Sequence, residues 1–227
     1  MKYWTKVCGL SREEDIDVSI ANGVDALGFL LATTKSQRVD MLPYDRAKEF
    51  IAYVDKRVDS CLLIHLSDLE EIIQTIAELN PSMVQIQKQS NLTVDELSQI
   101  KVAFPNIKII KTFYLSDTNS EQIIEDIESF IDSKTIDFVL IDSAKGGSGV
   151  THNWDISTHI VQKFSPFACI IAGGLTPDNI KEAIMQIRPF GVDVMSGVSV
   201  CSGGVKDKDK IKQFCDEVRD VKYAKNN

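Results

Sequence analysis

The stretch IDFVLIDSAKGGSGVT, residues 136–151, decides how the rest of the chain is interpreted. It begins with an apolar, β-branched run, Phe138 to Ile141, that is typical of a parallel strand buried on both faces. The run ends on Asp142, and the loop that follows holds three glycines in four residues, Gly147 in their middle. Such a loop brings backbone N–H groups close to an anion. Although most strand-terminal aspartates only start a turn, a carboxylate beside this loop indicates an active site.

Apolar runs alternate with segments of helical periodicity along the whole chain. Eight strand–helix units fit into 227 residues, about 28 residues each, which is the count of a compact (β/α)8 barrel. The rival fold, an open doubly wound sheet, usually has its glycine-rich loop after the first strand, whereas here the strongest glycine loops follow the last three. The sequence therefore predicts an α/β fold, a single-domain (β/α)8 TIM barrel over residues 1–227. Its strands are predicted at Trp4–Cys8, Ala26–Leu30, Val58–Ile64, Met83–Ile86, Ile107–Phe113, Phe138–Ile141, Phe167–Ala172 and Gly191–Met195.

Capping signals predict where several helices begin. Ser11 and Thr93 each precede a glutamate by three residues, the spacing of a capping box. Ser67 is the predicted cap of the third helix. Thr176 is the predicted cap of the seventh, with Pro177 at its first helical position.

Composition and charge narrow the class of partner. The formal net charge of −8 argues against nucleic acid or an anionic membrane surface. No apolar run approaches the roughly 20 residues of a membrane span, and the first residues lack a signal-peptide core, so we expect a soluble, cytoplasmic protein with a small-molecule partner. The five cysteines are scattered and the three histidines lack metal-ligand spacing, which predicts neither a disulfide framework nor a metal site.

Phosphate commonly binds to barrels of this kind after the seventh and eighth strands. Here Gly173 and Gly174 follow the seventh strand and precede a helix, and Ser196 and Gly197 follow the eighth. Because free N–H groups at such positions attract anions, these two pairs predict a phosphate site.

The carboxyl ends of the strands also bring possible acid–base groups to the same face. Cys8 ends the first strand, and Asp142 ends the sixth, so a thiol and a carboxyl group could divide the roles of general base and general acid. This chemistry requires neither a metal nor a cofactor. Arg38, in the polar loop after the second strand, offers a planar fork for a substrate carboxylate, although loop arginines are more often solvated charges.

Six stretches spread over nearly the whole chain resemble the phosphoribosylanthranilate isomerase family of tryptophan synthesis: TKVCGLSREED, GVDALGFL, KSQR, LIDSAKGGSGVTHNW, IIAGGLTPDNI, and GVDVMSGV with GVKDKDKI. The resemblance implies that Cys8 is the general base, that Asp142 is the general acid, and that Arg38 meets the anthranilate carboxylate. Together with Gly147 of the glycine loop, the other predicted substrate-binding residues are Gly173, Gly174, Asp193, Ser196 and Gly197.

The implied reaction is an Amadori rearrangement of N-(5-phosphoribosyl)anthranilate, the third step of tryptophan synthesis from chorismate. Asp142 would protonate the furanose oxygen, and Cys8 would remove the C2′ proton from the resulting Schiff base. The pKa of Asp142 must then be raised by burial, and that of Cys8 lowered by positive surroundings or by the substrate's iminium. Activity is therefore expected to fall as pH rises through the pKa of Asp142, with Cys8 setting the opposite limb.

The chain departs from the family's usual pattern in several places. The usual QLHG after the fourth strand is QIQK here, which places Gln87 and Lys88 where a histidine and a glycine are usual. Met195 and Ser199 depart from the usual SSGVE. These changes leave two alternatives open, a diverged phosphosugar isomerase and a non-catalytic barrel that binds a phosphoribosyl ligand. The expected assembly is a monomer or a homodimer.

Overall fold

The computed structural model describes residues 2–32, 41–116, 118–143, 153–200 and 204–221. Over these residues, eight parallel strands close into a barrel, because β1 pairs with both β2 and β8. The strands are β1 Trp4–Cys8, β2 Ala26–Leu31, β3 Asp59–Ile64, β4 Met83–Ile86, β5 Lys108–Leu115, β6 Phe138–Ser143, β7 Cys169–Ile171 and β8 Gly191–Val194. A further two-residue strand, Met41–Leu42, pairs with the end of β2.

Eight α-helices alternate with these strands in the part of the chain that the structure describes. They are α1 Glu13–Ala21, α2 Tyr44–Val54, α3 Leu69–Leu79, α4 Val94–Ala103, α5 Ser120–Asp132, α6 Trp154–Phe164, α7 Ile180–Ile187 and α8 Lys208–Asp220. The predicted (β/α)8 barrel is thus confirmed. None of the described helices is both long and apolar enough to cross a membrane. That residues 1–227 form a single domain stays a prediction.

Side chains alternate between the two faces of each strand, so they form one apolar layer outside the barrel and another inside it. The same alternation decides which site residues point into the barrel. In β6, Val139 and Ile141 belong to the large cluster between strands and helices, whereas Leu140 belongs to the cluster inside the barrel. Because successive side chains point to opposite faces of a strand, Asp142 lies on the inner face with Leu140. The apolar run that ends in Asp142 is therefore buried on both faces, as the sequence predicts.

The predicted helix starts are only partly confirmed. Thr93 and Glu96 form the expected capping box. Ser11 does not cap α1, because Arg12 takes that position and pairs its guanidinium with Asp15 at 2.5 Å. The cap of α3 is Asp68, not its neighbour Ser67, and its carboxylate accepts from the Glu71 N–H at 2.9 Å.

The prediction for α7 is also wrong, because this helix begins three residues after Pro177, at Ile180. The Thr176 N–H donates to the Asn179 side chain at 2.8 Å, and the Asn179 amide donates to the Gly174 carbonyl at 2.9 Å. A side chain that bonds back to the backbone in this way favours a turn over a helix. The glycine pair after β7 is therefore followed by a turn, and only then by the helix.

Candidate active site

A cavity of about 610 Å³ opens at the carboxyl ends of the strands. Six of the predicted site residues line it: Cys8, Asp142, Gly173, Gly174, Asp193 and Ser196. Gly197 is next to Ser196 in a 3-10 turn, Ser196–Val198, after β8. Arg38 and Gly147 lie outside the described residues. The barrel thus brings together side chains that are up to 188 positions apart in the chain, between Cys8 and Ser196.

Cys8 is the last residue of β1 and its thiol lies inside the barrel. Room for the sulfur comes from Gly28, which lies opposite Cys8 on β2, because a Cβ atom at Gly28 would be 2.6 Å from the Cys8 Sγ. Burial raises the pKa of the thiol to about 11, against the opposing attraction of the Lys6 ammonium. The structure therefore corrects the expectation that positive surroundings alone lower this pKa, because the loss of solvation outweighs the nearby positive charge.

Substituting Gly28 tests whether this space is needed. We expect Gly28→Ala to displace the Cys8 thiol and to lower kcat at least tenfold, with a loss of about 1–3 kcal/mol in the free energy of unfolding from overpacking. Steady-state kinetics and urea unfolding measure the two effects. Gly23→Ala is the matched control: Gly23 has a φ of +78° and open space where a Cβ would lie, so the variant should lose stability but keep kcat. Equal kcat in both variants would show that Gly28 does not position the thiol.

Lys6 and Asp193 form a buried ion pair beneath the cavity. The Lys6 Nζ lies 2.9 Å from the Asp193 Oδ2, and the lysine side chain is fully buried. Burial is the largest single effect and disfavours the ammonium. The attraction of Asp193, its hydrogen bond to the ammonium, and the nearby thiol groups of Cys8 and Cys61 together outweigh burial and raise the pKa of Lys6. The other carboxylate oxygen, Oδ1, is buried without a hydrogen-bond partner among the described residues. The sequence points to Asp193 through its family match, whereas Lys6 is not among the predicted site residues.

Asp142 presents a half-buried carboxyl group to the same cavity. Burial raises its pKa to about 6, although the Ser143 N–H donates to the Oδ1 at 2.7 Å and favours the charged form. Gly173 packs directly against this carboxyl, since a Cβ there would lie 2.6 Å from Oδ1. The predicted increase in the pKa of Asp142 is confirmed, and Gly173 has a structural role that the phosphate prediction did not include.

The loops after β7 and β8 approach each other closely at the rim of the cavity. Gly173 and Gly174 have φ of +83° and +68°, values that favour glycine. At Gly197, a Cβ would lie only 1.9 Å from the Leu175 carbonyl oxygen, so a side chain there would separate the two loops. Because α7 begins only at Ile180, the N–H groups next to the cavity are those of loop residues and not those of the helix terminus.

Three polar residues that were not among the predicted site residues, Gln85, Gln87 and Tyr114, help to form one wall of the cavity. Gln85 and Gln87 come from β4 and the residue after it, and each is hydrogen-bonded to a hydroxyl of β5, from Thr112 and Tyr114 respectively. Tyr114 reaches the cavity because β5 runs two residues beyond the predicted end, Phe113. The signal available in the sequence was the alternation along β4, which places Gln85 on the same face as Met83.

Comparisons with known proteins agree with this geometry. The sequence model of the family described as N-(5′-phosphoribosyl)anthranilate (PRA) isomerase matches residues 5–217. N-(5′-phosphoribosyl)anthranilate isomerase 2 of Methanosarcina mazei is 34% identical over 223 residues, which cover 98% of this chain and 94% of that protein.

Two solved structures are also similar to the chain. The phosphoribosyl anthranilate isomerase of Thermotoga maritima is 25% identical, with a TM-score of 0.79 over 96% of this chain and 98% of that one. A second isomerase of this kind was solved in complex with reduced 1-(o-carboxyphenylamino)-1-deoxyribulose 5-phosphate; it is 24% identical, with a TM-score of 0.77 over 96% and 98% of the two chains, and shows the shared fold. By its fold, its sequence and the match over residues 5–217, the chain belongs to the N-(5′-phosphoribosyl)anthranilate isomerase family.

Proposed function

We propose that this chain converts N-(5′-phosphoribosyl)anthranilate to 1-(2-carboxyphenylamino)-1-deoxyribulose 5-phosphate, the Amadori rearrangement of its family in tryptophan synthesis. The observation that carries the proposal is that the Cys8 thiol and the Asp142 carboxyl line one cavity, from β1 and β6. A phosphorylated small-molecule substrate is what this family acts on. A binding protein would need neither of these two groups.

Asp142 acts first, as the general acid. Its raised pKa, about 6, keeps part of the carboxyl population protonated near neutral pH. The proton passes to the furanose ring oxygen, the bond between that oxygen and C1′ breaks, and the anthranilate nitrogen donates its electron pair to form a protonated Schiff base. Asp142 is left as a carboxylate that the Ser143 N–H stabilises through its hydrogen bond of 2.7 Å.

Cys8 acts second, as the general base. The iminium of the opened substrate adds a positive charge to the cavity, which favours the thiolate and lowers the pKa of Cys8 from its value of about 11. The thiolate removes the C2′ proton, the electrons move into the C1′–C2′ bond, and the iminium becomes a neutral enolamine. Tautomerisation of the enolamine, in which the C2′ hydroxyl loses a proton and C1′ gains one, gives the aminoketose. Asp142 and Cys8 account for the two proton transfers that precede this tautomerisation.

The substrate's polar groups match the remaining predicted residues. The loop N–H groups around Gly173, Gly174, Ser196 and Gly197 would hold the phosphate. The Asp193 Oδ1, buried and without a partner among the described residues, would accept from a ribose hydroxyl. Arg38 and Gly147 keep their predicted contacts, to the anthranilate carboxylate and to an anionic group, as proposals.

The proposed function is tested by following the consumption of N-(5′-phosphoribosyl)anthranilate by the purified chain, through the fluorescence of its anthranilate group. Turnover that tracks the protein concentration is the expected result. Binding of the aminoketose without any turnover would instead identify a non-catalytic barrel, and turnover of another phosphosugar alone would identify a diverged isomerase. The cytoplasmic location and the monomeric or homodimeric assembly stay predictions, and sedimentation of the purified chain would test the second.

The phosphate contact can be tested separately. We expect Ser196→Asp to raise KM at least tenfold with little change in kcat, because a carboxylate at the rim repels the phosphate that the loop N–H groups attract. Gly174→Val should act in the same direction through its side chain and its φ of +68°. Ser129→Asp introduces the same charge at an exposed position of α5 and serves as the control. An unchanged KM in both cavity variants would place the phosphate elsewhere.

A further inference from the structure

Two glutamines form part of one wall of the cavity, and their carboxamide groups are held by opposite ends, one through its nitrogen and the other through its oxygen. Gln85 is in β4 and Gln87 follows the end of that strand, so the two side chains are two positions apart and face the barrel interior together. Both are about 95% or more buried, with exposed fractions of 3% and 5%. Each carboxamide is held at one end by a hydroxyl of the neighbouring strand β5.

Gln85 is held through its nitrogen. Its Nε2 donates to the Thr112 Oγ1 at 3.1 Å, and Thr112 is itself buried, so the oxygen Oε1 is the end that remains for a ligand. This Oε1 is buried and has no hydrogen-bond partner among the described residues. Since buried acceptors are nearly always satisfied, a group bound in the cavity is expected to donate to it.

Gln87 is held through its oxygen. The Tyr114 hydroxyl donates to the Gln87 Oε1, which leaves the two N–H groups of Nε2 as the free end. No described residue accepts a hydrogen bond from this nitrogen. The wall therefore offers one acceptor from Gln85 and one donor from Gln87, in a fixed order along the strand.

The position of this wall in the barrel selects the part of the ligand that reaches it. In a closed sheet of eight strands, β4 lies across the barrel from β8. A substrate whose phosphate is held by the loops after β7 and β8 therefore directs its opposite end toward β4. In the proposed substrate that end is the anthranilate group, which carries an amine N–H and a carboxylate on adjacent ring carbons.

We propose that Gln85 and Gln87 together recognise the anthranilate group, the Gln85 Oε1 accepting from the amine N–H and the Gln87 Nε2 donating to the carboxylate. This inference rests on the proposed function and names two specificity-determining residues for it. The same contact assists the reaction: when the ring opens, the nitrogen becomes an iminium N–H, and a carboxamide oxygen accepts from that charged donor more strongly than from the neutral amine.

The contacts of Gln85 and Gln87 can be tested separately by measuring the affinities of three ligands by calorimetric titration, which does not require turnover. The first is reduced 1-(o-carboxyphenylamino)-1-deoxyribulose 5-phosphate, the second replaces its amine N–H by an ether oxygen, and the third lacks its carboxyl group. For the wild-type chain, the ether and the decarboxylated ligand should each bind at least about tenfold more weakly than the first. Failure of the wild-type chain to bind any of them would overturn the proposed function together with this inference.

The variants assign each loss to one residue. Gln85→Met should weaken the reduced product about tenfold and reduce the preference for it over the ether to about one. Gln87→Met should reduce the preference over the decarboxylated ligand severalfold, leaving only the part due to the contact proposed for Arg38, and should keep the preference over the ether. Wild-type binding of the reduced product with both preferences unchanged in these variants would overturn the inference and leave the proposed function standing.

Two further variants control for effects on folding. Thr112→Val keeps Gln85 but removes the hydroxyl that accepts from the Gln85 Nε2, so the Gln85 carboxamide can rotate. The preference for the reduced product over the ether should then fall. This variant tests the contact even if Gln85→Met does not fold. Gln122→Met makes the matched substitution at an exposed position of α5 and should change none of the affinities. An unchanged preference over the ether in Thr112→Val would contradict the proposed role of the anchored oxygen.

Discussion

Asp142→Asn is expected to lower kcat by about 10²- to 10⁴-fold with little change in KM, since the amide keeps the shape of the carboxyl group but has no proton to deliver to the ring oxygen. The fold should be retained, because Gly173 leaves space for a side chain of this size and the Ser143 N–H can still donate to an amide oxygen. Steady-state kinetics on phosphoribosylanthranilate measure the effect.

Asp132→Asn makes the same substitution at an exposed position, the last residue of α5, and should leave kcat unchanged. A kcat for Asp142→Asn within threefold of wild type would exclude the acid role. An inactive wild-type chain that still binds the product would favour the non-catalytic barrel instead.

The pH dependence follows from the order of the two pKa values, about 6 for Asp142 and about 11 for Cys8. Because the base has the higher pKa, the reactive form, with Asp142 protonated and Cys8 ionised, is a minor form at every pH. Below pH 6, Asp142 stays protonated while the thiolate fraction grows about tenfold per pH unit, so kcat/KM should rise. Between the two values, the gain in thiolate offsets the loss of protonated Asp142, and kcat/KM should be level.

The structure thus changes the limb that Asp142 controls. The sequence predicts a loss of activity above the pKa of Asp142. Because the pKa of Cys8 is the higher of the two, kcat/KM should instead rise up to the pKa of Asp142, near pH 6, and become level above it. In Asp142→Asn the break near pH 6 should disappear, and the residual kcat/KM should keep rising with pH. The measurement is the pH dependence of kcat/KM for Asp142→Asn across the acidic and neutral range. If the break near pH 6 persists in this variant, another group causes the break.

Cys8→Ala is expected to lower kcat by about 10²- to 10⁴-fold, because no other group is proposed to remove the C2′ proton. Cys8→Ser should act similarly, since a hydroxyl ionises far less readily than a thiol. Affinity for the reduced product should change less than threefold in both variants, because the thiol is proposed to act on the proton and not to hold the ligand. We therefore expect both variants to consume almost no substrate and to bind the reduced product normally.

Cys215→Ala is a stringent control for this prediction. Cys215 is also a buried thiol, and burial raises its pKa to about 11, as at Cys8, but it lies in α8 outside the cavity. Its removal should cost stability from the lost packing and leave kcat unchanged. Wild-type turnover by Cys8→Ala would exclude the base role, and equal losses in the two variants would point to a general effect on folding.

The fold was predictable because its signals are local. The apolar run at Phe138–Ile141 and the alternation of strand and helix patterns can be counted along the chain, and strand parity then directs Cys8 and Asp142 to the interior. Helix starts were less predictable, because neighbouring residues compete to cap the same helix. Asp68 replaces Ser67 at α3, and the Asn179 side chain holds the turn that delays α7.

The sequence by itself thus determined the barrel, its order of strands, and the placement of Cys8, Asp142 and the glycine loops at the strand ends. Only the tertiary structure decided the Lys6–Asp193 pair, the space that Gly28 leaves for the Cys8 thiol, and the opposite orientations of Gln85 and Gln87. The physical reason is that these features join different strands, through residues that are 20 to 187 positions apart in the chain. Hydrogen bonds, close contacts and desolvation depend on every atom that surrounds a group, and those neighbours exist only once the barrel has closed.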